Sequence, residues 1–313
     1  MPVAATRAEV VRQPISLGWL WSANGREIWY FAKPADGPAV AWAVHLATGV
    51  QRLVSELWGE FSPSRRLIIR DGPAPQSTVI HQRGTGTEWM LDRTGEGVLL
   101  SPDELEVAFA VRMPGSDPPW MRPADIYRAR LDGTERTLLA RAIGRVAGWR
   151  DDGRLLVVGS ESLDQPRTIR ALDRDGTPQA EWPLGMRVRN LQISPSRRFL
   201  AFVVVFDSPV ANGQYVLDLF SGTRARIPGP SSVRWLPDES GLLIIPAQRR
   251  RGRGFELWRV SFPSLRLEEL VGDGVDLESF DWRVRPDGSA IAYRAPRSLH
   301  LRTLTWGPPA PPT

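Results

Sequence analysis

ISPSRRFLAF (193–202) and VRPDGSAIAY (284–293) are two copies of one short pattern. A large apolar residue stands two positions before a Pro, a polar turn follows, and an alternating apolar run comes after it. Five more segments repeat it: WSANGREIWYF (21–31), FSPSRRLII (61–69), LSPDELEVAFA (100–110), WRDDGRLLVV (149–158) and WLPDESGLLII (235–245). With the Pro or its equivalent as anchor, the copies sit at Ala23, Pro63, Pro102, Asp151, Pro195, Pro237 and Pro286, spaced 39 to 49 residues apart.

Each column of this alignment has a physical reading. Two before the anchor stand Trp21, Phe61, Leu100, Trp149, Ile193, Trp235 and Val284, all large and apolar. Five after it stand Ile28, Ile68, Val107, Leu156, Leu200, Leu242 and Ile291, all aliphatic. Seven after it the column is apolar except at Arg70. Side chains alternate along a strand, so positions five and seven share one face. Asn24-Gly25, Asp152-Gly153 and Asp287-Gly288 supply the positive φ that a tight hairpin requires. A second pair of alternating runs follows in most units, as in DIYRARLDGTERTLLA (125–140), RTIRALDRDGTPQAEW (167–182), QYVLDLFSGTRARI (214–227), VAWAVHLATGVQRLV (40–54) and FELWRVSFPSLRLEEL (255–270). Each unit therefore reads as four strands, A before the anchor turn, B after it, then C and D. A period near 40 residues with four strands predicts an all-β chain, a seven-bladed β-propeller of four-stranded antiparallel blades.

The S-P-D-G turn followed by an alternating strand resembles the TolB-type propeller repeat, from about residue 7 to about residue 306. Related repeats occur in the propeller domains of tricorn-like and prolyl-oligopeptidase-like peptidases, whose chemistry resides in a separate domain. The resemblance covers the propeller part only. The resemblance does not extend to the α/β domain that precedes the propeller in TolB-like proteins, so it implies the propeller fold and not a direct TolB role.

The seventh unit has strands near 279–284, 290–294 and 298–304, then runs into WGPPAPPT, where Pro lacks the amide donor of a ladder strand. The stretch TRAEVVRQ (6–13) precedes the first strand A. It is expected to complete the last blade, leaving one domain over residues 1–306 and a disordered Pro-rich tail at 307–313.

The 313 residues carry 40 Lys plus Arg against 35 Asp plus Glu, a net charge of +5. Lys33 is the single lysine. Arg does not titrate in the accessible range, so the pI of 10.3 overstates the basic character, and the charge by itself does not argue for nucleic acid. The Arg-for-Lys bias points to a bacterial, GC-rich source. No cysteine is present, which excludes disulfides, thiolate metal sites and cysteine nucleophiles. No apolar run is long enough to span a membrane. The start lacks an apolar h-region, which favours the cytoplasm; removal of a leader would instead imply the periplasm or the outside.

No G-x-S-x-G elbow, H-E-x-x-H, Walker loop or dinucleotide glycine loop occurs, so no catalytic or cofactor-binding residue is assigned and no cofactor is expected. His45, His81 and His300 all fall on strands C. Those strands of adjacent blades are too far apart to converge on one metal, so no metal site is assigned. VGDGVDLE, with Asp273, Gly274 and Asp276, reads as an inter-blade turn. Glu56 and Glu278 are the carboxylates nearest strand A starts.

The B–C loops vary most in length, and variable loops on a rigid scaffold are where function concentrates. MPGSDPPWMRP (113–123) carries Trp120 and Arg122, and AQRRRGRG (247–254) carries Arg249, Arg250, Arg251 and Arg253. The Arg run is an anion patch for an acidic protein segment on the functional reading, and a solvated charge run on the plain one. Trp120 is either an exposed anchor or a lid on its own blade. The remaining strand tryptophans, such as Trp21, Trp149, Trp235 and Trp258, read as blade-to-blade packing. The leading expectation is a non-enzymatic protein- or peptide-binding scaffold, monomeric on its own, that uses the B–C and D–A loop face. The alternatives are a hydrolase or lyase acting on a sugar or lactone in the central channel, and an anion or nucleic-acid binder acting through the Arg loop.

Overall fold

The computed structural model describes residues 7–11, 18–32, 40–57, 59–95, 97–118, 121–185, 188–205, 208–227, 231–246, 255–262, 264–275, 281–295 and 298–303. Apart from a 3₁₀ turn at Met121, whose N–H donates to Pro118 O at 2.9 Å, all regular structure among them is β. Two units are distinguished, Met1–Trp58 with Gly229–Thr313, and Gly59–Pro228. In each, four-stranded antiparallel sheets follow one another in a propeller-like arrangement.

The first unit begins with β1 (Arg7–Val11) and the sheet β2 (Trp19–Trp21), β3 (Glu27–Ala32), β4 (Val40–His45) and β5 (Gln51–Ser55). The second unit opens with the sheet β6 (Glu60–Phe61), β7 (Leu67–Asp71), β8 (Thr78–Gln82) and β9 (Glu88–Leu91). A seven-stranded sheet follows: β10 (Val98–Leu100), β11 (Glu106–Arg112), β12 (Ala124–Arg130), β13 (Thr137–Trp149), β14 (Leu155–Ser160), β15 (Arg167–Leu172) and β16 (Pro178–Gly185). β13 pairs with β12 through Thr137–Ala142 and with β14 through Ile143–Trp149, so one long strand closes one meander and opens the next. The unit ends with β17 (Val188–Ile193), β18 (Phe199–Val204), β19 (Gly213–Asp218) and β20 (Arg224–Ile227). The first unit resumes with β21 (Ser231–Trp235), β22 (Gly241–Pro246), β23 (Phe255–Ser261) and β24 (Leu267–Val275). Its last strands are β25 (Trp282–Val284), β26 (Ala290–Ala295) and β27 (Ser298–Thr303), and β1 pairs antiparallel with β27 from Arg7↔Arg302 to Val11↔Leu299.

The anchor turns share one backbone solution. The residue two after each anchor has positive φ in all seven: Gly25, Arg65, Glu104, Gly153, Arg197, Glu239 and Gly288. Its N–H donates to the carbonyl of the residue before the anchor in every case. Where that preceding residue is Ser, its hydroxyl accepts the N–H five positions on, as in Glu27 to Ser22 (2.9 Å), Glu106 to Ser101 (3.0 Å) and Phe199 to Ser194 (3.0 Å). Ser is common there because it satisfies a donor the turn would otherwise strand. At Gly153, φ is 77° and nothing lies within 4 Å of where a Cβ would stand. Gly153→Ala therefore meets backbone strain alone. It is expected to cost about 1 kcal/mol, read as a lower midpoint in urea unfolding.

The aliphatic column five after the anchor is fully buried at every position. Its face packs on the preceding sheet: Ile291 and Tyr293 meet Leu243, Ile245 and Leu257, and Val107 and Phe109 meet Leu67, Ile80 and Leu91. The Asp151 unit departs from the alignment by one residue. Its turn is shorter, with Arg150 N–H donating to Arg154 O, so Trp149 stands opposite Leu155. Leu155 and Val157 there do the work that the column assigns to Leu156 and Val158, which pack the opposite face. The VGDG run is also corrected. The strand β24 continues through Asp273 and Gly274 to Val275, so these residues are not in a turn; Asp276 lies outside the described residues.

Candidate functional site

Of the loop residues singled out in the sequence, Arg122 is described, while Trp120, Arg249, Arg250, Arg251 and Arg253 lie outside the described residues. Arg122 is half-buried and curls into its own loop. Its Nη1 donates to Gly115 O at 3.2 Å and to Met113 O at 3.4 Å, and its carbonyl accepts from Arg112 Nη1 at 3.2 Å. Met113 N–H donates to Pro123 O at 2.8 Å and closes the loop base. Arg167 stands beside this pair at the start of β15. Its Nη1 reaches the Ile143 carbonyl, where β13 passes from one meander to the next, and Ser160 Oγ at 2.6 Å. Burial and then the positive charge of Arg112 pull the Arg167 pKa down. Three guanidinium side chains thus gather at strand ends of one unit, each donating to a backbone carbonyl. Nearby, Asp125 is gripped by Arg141 through both carboxylate oxygens, at 2.6 and 3.0 Å. Arg112 and Arg167 end one strand and begin another, so in the sequence each reads as one polar position in an alternating run.

The first strands of successive sheets form the second group. Within the first unit, indole N–H groups join them: Trp282 Nε1 to Ser232 Oγ at 2.9 Å, Trp19 Nε1 to Asp281 Oδ2 at 3.0 Å and Trp21 Nε1 to Arg283 O at 3.3 Å. In the second unit Trp149 Nε1 donates to Leu99 O at 3.2 Å. Trp21 and Trp149 thus pack sheet against sheet, and Trp235 packs edge-on to Phe262. Arginine recurs on these strands, as Arg145 on β13, Arg189 on β17, Arg234 on β21 and Arg283 on β25. Arg145, Arg189 and Arg283 are exposed. Sequence reasoning missed all four, because nothing within a single strand tells which polar side chain meets a neighbouring sheet.

The histidines are on third strands, as expected. His45 Nδ1 lies 3.2 Å from Thr48 Oγ1, and His81 Nδ1 lies 3.3 Å from Glu88 Oε1 but out of line for a hydrogen bond. No group of three His, Asp or Glu side chains suited to a metal occurs among the described residues. Glu56 is exposed between β5 and β6, and Glu278 lies outside the described residues. No helix among the described residues is long and apolar enough to cross a membrane.

No family model matches the sequence, and no curated protein is similar to it in sequence. Solved structures are similar in fold. An oligogalacturonate lyase in complex with manganese is 12% identical, with a TM-score of 0.67 over 97% of each chain. The oligogalacturonate lyase of Vibrio parahaemolyticus is 9% identical, with a TM-score of 0.66 over 96% of this chain and 97% of that one. The hydrazine synthase of Kuenenia stuttgartiensis is 12% identical, with a TM-score of 0.58 over 92% and 95%. The neighbours are β-propeller proteins, and at such identity the likeness is one of fold alone.

Proposed function

We propose that this chain is a seven-bladed propeller of TolB-type repeats, closed by β1, that acts as a non-enzymatic platform for an acidic segment of a protein or peptide. The seven-bladed reading takes each four-stranded sheet as a blade and divides the seven-stranded sheet within β13. The binding face is the one formed by B–C and D–A loops. The observation that carries the reading is the gathering of Arg112, Arg122 and Arg167 at those loop ends. Cations held in place by backbone carbonyls are preorganised for an anion, since little side-chain entropy remains to be lost on binding. Arg249, Arg250, Arg251 and Arg253, with Trp120, extend the same face in this proposal.

A second reading places an acidic sugar in the channel of the same propeller, as substrate of a lyase or hydrolase. The exposed Arg145 and Arg189 of the first strands favour it, and oligogalacturonate lyases are enzymes on propellers of this size. It requires a carboxylate pair about 5–10 Å apart or a metal at the channel mouth.

The test is a pull-down from host extract with the protein as bait, beside a variant with Arg249, Arg250, Arg251 and Arg253 changed to Glu. Any captured partner is then purified and rebound. A stoichiometric partner with an acidic contact segment, lost in the variant, is the expected outcome. A partner that binds the variant undiminished overturns the assignment of the face.

A further inference from the structure

In the first unit, β21, β25 and β2 lie side by side as sheet edges, bridged by the Trp282 and Trp19 indoles. A guanidinium covers each of those rings. Arg234 lies 5.1 Å from the Trp282 centroid, and Arg283 lies 5.5 Å from that of Trp19. Arg234 is half-buried and spends Nε on Trp282 O at 3.0 Å and Nη1 on Val233 O at 2.7 Å. Arg283 is exposed, and among the described residues its guanidinium has neither a hydrogen bond nor an ion pair. Asp281 is the nearby carboxylate, and its Oδ2 already accepts the Trp19 indole N–H. Burial and then the charge of Arg283 pull the Arg234 pKa down, with Asp281 opposing.

A third stack of the same kind gives the contrast. Arg128 lies 5.1 Å from the Trp149 centroid in the second unit, and there Glu106 pairs with it directly. That stack carries its own counter-charge. The Arg234 and Arg283 stacks have no ion-paired carboxylate among the described residues, although two like charges this close repel. A guanidinium on an indole presents its remaining N–H groups edgewise, in the plane that matches a carboxylate fork.

We propose that Arg234 and Arg283, laid on Trp282 and Trp19, form a seat for one carboxylate of the acidic segment that this chain binds. The inference rests on the platform reading above and names a contact within it. Two arginines and Asp281 sum to one positive charge, which one carboxylate neutralises and a phosphate dianion exceeds.

Trp19 and Trp282 report on the seat through their fluorescence. The experiment titrates hexaglutamate, acetate and inorganic phosphate at fixed ionic strength into the wild type, Arg283→Gln and Arg52→Gln. Arg52, exposed on β5 and paired with Glu27 at 2.7 Å, is the charge-matched control. Arg283→Gln takes the guanidinium off the Trp19 ring but breaks no hydrogen bond or ion pair among the described residues, and an unchanged melting curve verifies that the fold is kept. The expected result is a hexaglutamate affinity about tenfold weaker in Arg283→Gln and unchanged in Arg52→Gln, a loss of one charge-assisted contact. Acetate should compete in the wild type and not in Arg283→Gln. Hexaglutamate binding that ignores Arg283→Gln overturns the seat and leaves the platform standing. An acetate response lost in Arg283→Gln, without hexaglutamate binding, supports the seat and overturns the peptide platform. Phosphate bound in preference to both carboxylates overturns the carboxylate assignment, and no response to any of the three overturns seat and platform together.

Discussion

Glu106→Ala is expected to cost about 3–5 kcal/mol of folding stability, the range for breaking a buried ion pair from one side. Arg128, 7% exposed on β12, is paired with Glu106 on β11 and laid over Trp149. Its Nη1 is buried with no hydrogen-bond partner, so Glu106 is its counter-charge. Removing Glu106 leaves a desolvated guanidinium between two meanders without its ion-paired carboxylate. Arg174, 3.3 Å from Glu106 on the outside, is exposed and loses little. The measurement is the urea midpoint at neutral pH. Glu106→Leu combined with Arg128→Met should recover most of the loss, because replacing both members of a buried pair by apolar groups is nearly neutral. A single-variant loss below about 1 kcal/mol would show that water reaches Arg128 and that the pair is a surface one.

Removing residues 1–13 is the other large effect. β1 makes four registered residue pairs with β27, and β27 has no other partner on that side. At about 1 kcal/mol per hydrogen bond, the ladder alone contributes about 3–4 kcal/mol. The truncated chain also gains an open edge, which invites association. The expected outcome is a melting midpoint lower by several degrees, with concentration-dependent aggregation. A synthetic peptide of residues 1–13 should restore part of the loss. Unchanged melting of the truncated chain would mean that β1 adds nothing to the sheet it completes.

These two sites also show what the sequence made legible. The anchor columns were enough to place nearly every strand, because burial on alternate positions leaves a period of two and the turns a period near 40. The terminal strand was legible for a related reason, since a three-stranded last unit and an orphan alternating stretch require each other. What escaped depends on contacts between sheets. Arg128 and Glu106 look like two polar positions on separate strands until antiparallel pairing sets Ala108 opposite Arg128 and Glu106 opposite Arg130, bringing both side chains to one face. The positive φ of Arg65, Glu104, Arg197 and Glu239 was hidden because no Gly or Asn marks those turns. Glu104 shows why a non-glycine holds such a position: its carboxylate takes Ser64 N–H at 2.8 Å and Ser64 Oγ at 2.5 Å, tying one anchor turn to the preceding one. The shorter turn at Asp151 shifted one column because both alternate faces of β14 are apolar, so composition could not fix the register. Of the candidate site, Arg122 was legible from its loop, whereas Arg112, Arg167, Arg234 and Arg283 required the neighbouring strands.

Recognition of an acidic segment by arginines on the loop face is the heart of the proposed function. Its most direct test is the affinity of hexaglutamate measured by calorimetry across a salt series. The wild type is compared with the variant in which Arg249, Arg250, Arg251 and Arg253 are changed to Glu. Stoichiometric binding at low salt that weakens steadily as charges are screened is expected, with no measurable binding to the variant. Equal affinity in both proteins, or binding indifferent to salt, would contradict it.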